Sequence, residues 1–287
     1  MQAAQQDPLL NAKLSVRRWD DEAKDPLMQT PPLSHFADMA TMSLMKSRGS
    51  IELHGRTYAL PKMPTVVVCV DGFDPEYLEQ GITDGLLPNL ASFVNAGFHA
   101  TAKSAMPSFT NPNNVSIITG VPVSIHGIGG NFFLDPKTGQ EAMILDDTLL
   151  RGPTILELMS KRGVRVAAVT AKDKLRAILS HGLENAICFS AEKSASCTLE
   201  KNGIADVEKW PGQSQPSQYS GELSLFVLDA GVKLLAEKKA DLFYLTLSDF
   251  VQHKHAPGSK EANLFMSALD ERIGKLVNLG AQVAVTG

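Results

Sequence analysis

Short, unbroken apolar runs recur along the chain from Thr65 onward, and they constrain its fold more than any other feature. Residues 66–70, 164–170, 186–189, 242–247 and 282–286 read as strands of this kind, and 98–105 as a further strand. Apolar residues without a polar alternation mean strands buried on both faces. Between them lie helix-period segments over 86–96, 110–118, 154–162, 173–180, 222–238 and 261–279, several of them closed by a glycine such as Gly97, Gly120 or Gly163. In the helix over 222–238, Leu225, Leu228, Val232 and Leu235 fall roughly on one face. Strand and helix in alternation predict an α/β fold with a mostly parallel central sheet and helices on both faces.

In such sheets the reactive groups sit in loops beyond the carboxyl ends of the strands. Asp71 follows one strand directly and Asp249 follows another. A carboxylate at the end of a buried strand costs several kcal/mol, roughly, unless a partner or a cation neutralises it. Two acids sent to one rim point to a cation site.

Bulk composition narrows the partners. The chain has 287 residues, 44% hydrophobic and 20% charged, with a formal net charge of -4. That excludes nucleic acid or an anionic membrane as an electrostatically driven partner. No apolar run approaches the roughly 20 residues that span a bilayer. The cysteines are odd in number; Cys69 and Cys188 lie in strand-like runs as small buried hydrophobes, so disulfides are not expected and a reducing compartment is. Residues 1–57 mix charges of both signs with prolines and read as a loosely ordered extension, leaving 58–287 as the α/β core. The extension shows no secretory apolar segment, and its early acids Asp20, Asp21, Glu22 and Asp25 do not suit a transit peptide. The expected location is the cytoplasm, with organellar targeting as the alternative. Residues 192–219 are polar and rich in Ser, Gln and Pro and read as a long surface excursion.

Four stretches could carry chemistry. In "PSFTNPNN", Thr110 stands where a helix N-cap belongs. It is either a cap or, with a cation beside it, a nucleophile, because the helix dipole alone supplies only about 0.3–1 kcal/mol. In "SDFVQHKH", Asp249 and His253 are four apart and share a face if the segment turns helically. They suit zinc, manganese or iron, or form a plain ion pair; His255 faces elsewhere. In "HGIGGNFF", Asn131 offers an amide donor to an oxyanion or is a turn residue. In "VTAKDKLR", Lys172 and Lys174 lie just past a strand and either hold an anionic substrate or begin a solvated helix.

The stretches "VVCVDGFDPEY", "PSFTNPNNVSIITG", "HGIGGNFF", "GPTILELM", "AVTAKDKLRAIL", "ICFSAEK" and "SDFVQHKHAPGS", in that order, resemble the phosphonoacetate hydrolases of the alkaline phosphatase superfamily, over roughly residues 65–287. The resemblance implies hydrolysis of the carbon–phosphorus bond of phosphonoacetate to acetate and phosphate at a site of two divalent metal ions, usually zinc. It implies Asp71 and Thr110 as ligands of one ion, with Thr110 the nucleophile, and Asp249 and His253 as ligands of the other. Asn131 would contact the phosphoryl oxygens, and Lys172 and Lys174 the carboxylate of a small anionic phosphonate substrate. A homodimer is an open option. The family continues after a strand like "AQVAVT" with Ala-Asp-His-Gly and later a further His, which complete both metal shells, with a cap domain between. The sequence in hand stops at Gly287, so the resemblance implies a core without the cap and last part, and impaired activity. The alternatives are a non-catalytic remnant that binds an anion or metal weakly, or another phosphodiesterase of the superfamily.

Overall fold

The computed structural model describes residues 49–207, 210, 216, 217 and 219–287. The chain divides into two units, Met1–Leu60 and Pro61–Gly287. In the first, β1 (Ser50–Leu53) and β2 (Arg56–Ala59) form an antiparallel hairpin. Its two-residue turn puts His54 at φ 51° and Gly55 at φ 74°, the left-handed pair that matches the twist of a tight hairpin. This hairpin occupies the end of the segment expected to be a loose extension; residues 1–48 lie outside the described residues.

The second unit is built on five parallel strands: β3 (Thr65–Cys69), β6 (Val166–Thr170), β7 (Ile187–Ser190), β8 (Leu242–Thr246) and β9 (Gln282–Thr286). Their order across the sheet is β7-β6-β8-β3-β9, every pairing parallel. A short hairpin of β4 (Phe132–Leu134) and β5 (Glu141–Met143) stands apart from this sheet. The helices are α1 (Pro75–Thr83), α2 (Pro88–Ala96), α3 (Thr110–Thr119), α4 (Val123–His126), α5 (Ile155–Lys161), α6 (Asp173–Leu179), α7 (Leu199–Asn202), α8 (Glu222–Ala236) and α9 (Lys260–Asn278).

Side chains alternate across β8, and the alternation sorts the helices. Phe243 and Leu245 join the large core with Val66, Val68, Leu228 and Leu269, and a Cβ on Gly231 of α8 would stand 2.5 Å from Leu245. Tyr244 points the other way, where its hydroxyl meets Asn114 of α3. Helices α8 and α3 therefore cover opposite faces, as the sequence predicts. Helix α8 is buried around most of its circumference, from Leu223 to Leu235, which is why its apolar positions exceed a single stripe.

Some local expectations fail. Residues 98–105 form no strand, and Phe98 is 91% exposed; no neighbouring strand among the described residues pairs with them. Helix α1 was not anticipated, although "DPEY" carries its start. Asp74 caps Glu76 through a 3.0 Å bond, with Pro75 at the first position. The expected surface excursion over 192–219 begins instead with a 3-10 helix, Ala191–Ser196, and α7, and it buries Ile204 and Val207. Residues 208–209, 211–215 and 218 lie outside the described set.

Helix α2 has no cap of its own; α9 supplies one. Asp270, 1% exposed, accepts from the Asn89 N–H (3.1 Å), the Asn89 side chain (2.9 Å) and the Leu90 N–H (2.8 Å). Losing such a carboxylate leaves buried donors unpaired, at about 1–3 kcal/mol or more. Asp270→Ala is expected to destabilise the chain by about 3 kcal/mol. A urea denaturation midpoint unchanged from wild type would contradict this.

Candidate active site

The sheet order decides what can meet. Strands β6, β8 and β3 are consecutive neighbours, so their carboxyl ends deliver Lys172 and Lys174, Asp249 and His253, and Asp71 to one rim. In the sequence these groups are up to about 180 residues apart. Gly72 permits the closest approach. It has φ 71°, and a Cβ there would meet Gln252 Cβ at 3.2 Å and Asp249 Cβ at 3.3 Å. A side chain at that position would be strained in backbone and crowded against the acid turn.

Asp71 accepts a hydrogen bond from the Thr110 hydroxyl, Oγ1 to Oδ2, at 2.9 Å. Burial first, and the Asp249 charge second, push its carboxyl above the ordinary carboxylate range. The Thr110 bond and the His253 and Lys174 charges pull the other way. Asp249 in turn meets His253, Oδ2 to Nε2, at 2.7 Å. The His253 N–H bonds the Asp249 carbonyl at 2.9 Å, so the segment makes the helical turn the four-residue spacing requires. The ion-pair reading of this pair is present as a contact, and it leaves His253 74% exposed.

Thr110 is not the cap of α3. Phe109 occupies the cap position with no side-chain bond, and Thr110 is the first helical residue. The donor left open there is met from outside the helix: Asn131 Oδ1 accepts from the Asn111 N–H at 3.1 Å. A backbone N–H only donates, so the Asn131 oxygen must face the helix, which leaves its NH₂ to donate elsewhere. Asn131 is thus held at the helix start beside Thr110.

Lys172 and Lys174 are fixed by the start of α6. The Thr170 hydroxyl bonds the Lys172 carbonyl at 2.7 Å, and Glu192 accepts from the Asp173 N–H at 2.8 Å. The Lys172 ammonium sits 4.9 Å from the centre of the Tyr219 ring. Burial lowers its pKa, against the opposing charges of Glu192 and Asp249. His255 is outside this group: its carbonyl accepts from the Tyr77 hydroxyl at 2.7 Å and its ring faces Glu261. Three residues were not singled out by the sequence reading. Gly72 was signalled by "DG" after a strand, Asn114 by its place one turn after Thr110, and Tyr244 by a hydroxyl inside "LFYLT".

The donor chemistry suits a divalent cation, because two carboxylates and an imidazole share one rim and the half-buried Asp71 is penalised without a counter-charge. Among the described residues no group of three or more His, Cys, Asp and Glu is placed to hold an ion. Each pair is therefore short of the four donors zinc usually takes. The like-charge strain has a measurable sign. A carboxylate whose pKa is raised by folding costs stability above that pKa, and the cost disappears as pH falls through it toward the unfolded value. In metal-free protein, Asp71→Asn should raise the thermal midpoint at pH 7, and the gain should shrink in acid. Equal midpoints at pH 7, read by circular dichroism in chelator, would contradict the strain.

A sequence profile of the type I phosphodiesterase / nucleotide pyrophosphatase family matches residues 65–282. Phosphonoacetate hydrolase from Sinorhizobium meliloti 1021, solved with phosphonoformate and with phosphonoacetate, superposes with a TM-score of 0.79 at 48% identity, covering 82% of this chain and 58% of that one. Murine ectonucleotide pyrophosphatase / phosphodiesterase 5 shares the fold, with a TM-score of 0.52 at 17% identity over 77% of this chain and 56% of that one. An uncharacterized pyrophosphatase/phosphodiesterase of Schizosaccharomyces pombe is 25% identical over 222 residues, 74% of this chain and 40% of its own length. The chain thus spans between two fifths and three fifths of these relatives. No helix among the described residues is long and apolar enough to cross a membrane. With a family match that takes in four strands of the sheet, the first residue of β9 and every residue of the rim, the chain belongs to the type I phosphodiesterase / nucleotide pyrophosphatase family of the alkaline phosphatase superfamily.

Proposed function

We propose that the chain hydrolyses the carbon–phosphorus bond of phosphonoacetate, with Thr110 as the nucleophile. One observation carries the reading: the Thr110 hydroxyl, at the start of α3, donates to Asp71 on the rim that also bears Lys172 and Lys174. The likeness to phosphonoacetate hydrolase at 48% identity supports the substrate. Asp71 and Thr110 would hold one divalent ion, and Asp249 and His253 the other, zinc by the family resemblance. Bound there, the ions would lower the pKa of the threonine hydroxyl and offset phosphoryl charge.

The chain's own groups do the rest. Lys172 and Lys174 bind the substrate carboxylate and direct the phosphoryl group toward Thr110. The hydroxyl oxygen attacks phosphorus, and its proton passes toward Asp71 Oδ2. The carbon–phosphorus bond breaks with its electron pair on carbon, delocalised into the carboxylate that the two lysines face, and a proton from water completes acetate. The Asn131 amide donates to the phosphoryl oxygens. Water then cleaves the phospho-threonine and releases phosphate. The second reading, phosphodiester hydrolysis, is favoured by the family profile; it gives the lysine pair no carboxylate to hold.

One substitution tests the nucleophile, and either of two others separates the readings. Thr110→Ala should abolish phosphate release from phosphonoacetate in the presence of zinc. The fold should be retained, since that hydroxyl caps no helix. Wild-type turnover by the alanine variant would remove the nucleophile assignment. Lys172→Ala or Lys174→Ala should raise the KM for phosphonoacetate by about 10- to 100-fold, the worth of one charge-assisted bond, with little change toward an aryl phosphodiester. Equal losses on both substrates would favour the diesterase reading.

A further inference from the structure

The nucleophile candidate is tied to the middle of the sheet by a buried polar strut. Tyr244 stands on β8, 2% exposed, and its hydroxyl meets Asn114 Oδ1 at 2.7 Å. Asn114, also 2% exposed, donates from Nδ2 to the Thr110 carbonyl at 3.0 Å. The protons in this strut are fixed by chemistry. A carbonyl only accepts, so the Asn114 atom beside Thr110 is the NH₂; the atom beside Tyr244 is then the oxygen, and the phenol must donate. No alternative arrangement satisfies both bonds. The Cys69 thiol, the last residue of β3, lies close enough to influence the same phenol, and β3 and β8 are paired neighbours.

We propose that Tyr244 and Asn114 are positioning residues that hold the Thr110 backbone against the sheet, so that its hydroxyl stays within reach of Asp71 and the substrate. The inference rests on the reading of Thr110 as nucleophile. Two features favour positioning over packing alone. The strut ends on the carbonyl of Thr110 itself rather than on a later turn of α3. It also starts on β8, whose paired neighbour is β3, and the ends of these two strands bring Asp71 and Asp249 together, so the contacts tie the nucleophile to the strand pair that carries both acids.

The test uses the full chain with zinc and phosphonoacetate, comparing wild type, Tyr244→Phe and Asp270→Asn. Tyr244→Phe removes one oxygen and keeps the ring; Asp270→Asn weakens the distant cap of α2 and serves as a destabilised control. Tyr244→Phe is expected to lower kcat by about 10- to 100-fold with KM unchanged, the scale of a misplaced reacting group. Asp270→Asn, at a temperature giving the same folded fraction, is expected to keep wild-type kcat. An NMR measurement runs beside it: the Asn114 side-chain amide protons should exchange more than about 10-fold faster in Tyr244→Phe, and the Thr110 amide resonance should shift. A kcat loss matched by Asp270→Asn would overturn the proposal, as would unchanged Asn114 exchange and Thr110 shift. Should wild type release no phosphate, the proposed activity fails, and the NMR comparison alone decides whether the strut positions Thr110.

Discussion

A half-buried carboxylate beside a second carboxylate is the constraint around which the rim is arranged. Asp71 is raised in pKa by its burial and by Asp249, so the fold holds it in an environment that disfavours its charge. Proteins keep such an arrangement where the charge is used, and the cost is met elsewhere in the structure. Here the large core between the sheet and α8 and α9 meets it, together with caps such as Asp270. The Thr110 hydroxyl is the one direct hydrogen bond that relieves Asp71 among the causes of its shift. Acid and candidate nucleophile are therefore one unit.

Helix α3 is held accordingly. Its hydrophobic amphipathicity is slight, and polar residues are prominent on its buried side: Asn111, Asn114 and Thr119. Hydrogen bonds take the place of an apolar stripe. Asn131 meets its first turn, Tyr244 meets Asn114, and His126 meets Ser116 at 2.9 Å. The His126 Nδ1 accepts from the Ile128 N–H, so Nε2 carries the proton and donates to Ser116. Burial lowers the pKa of this histidine and keeps it neutral. Directional bonds fix a helix against sliding and rotation more tightly than apolar packing of equal area. That suits an element whose first residue must stay aligned with Asp71.

The cationic side of the rim is built by a separate set of contacts. Ser190, from the end of β7, and Arg176 both bond Asp173, and Glu192 bonds the Asp173 N–H. These anchor the start of α6 and so the two lysines on either side of Asp173. The lysines and the acids thus rest on different anchors.

Much of this was legible in the chain itself. Unbroken apolar runs such as "VVVCV" and "LFYLT" require strands buried on both faces, and that alone dictates a parallel sheet flanked by helices. Asp71 and Asp249 could be placed at strand ends because the run stops where the acid begins. The four-residue step from Asp249 to His253 could be read because helical geometry is local. Other features were not legible, because they depend on strand order. Whether β6, β8 and β3 are neighbours is not written in any local pattern; it is decided by how the helices between them pack, and only that adjacency brings Lys172, Asp249 and Asp71 together. The cap reading of Thr110 failed for the same reason. A threonine before a helical run is a cap by local rules, but a carboxylate from a distant strand took its hydroxyl, and Asn131 from a distant loop met the helix start instead. The sequence by itself determined the layers and the rim on which chemistry could sit; the tertiary structure alone decided which side chains face one another there, because hydrogen bonds between distant segments leave no periodic trace in the chain that carries them.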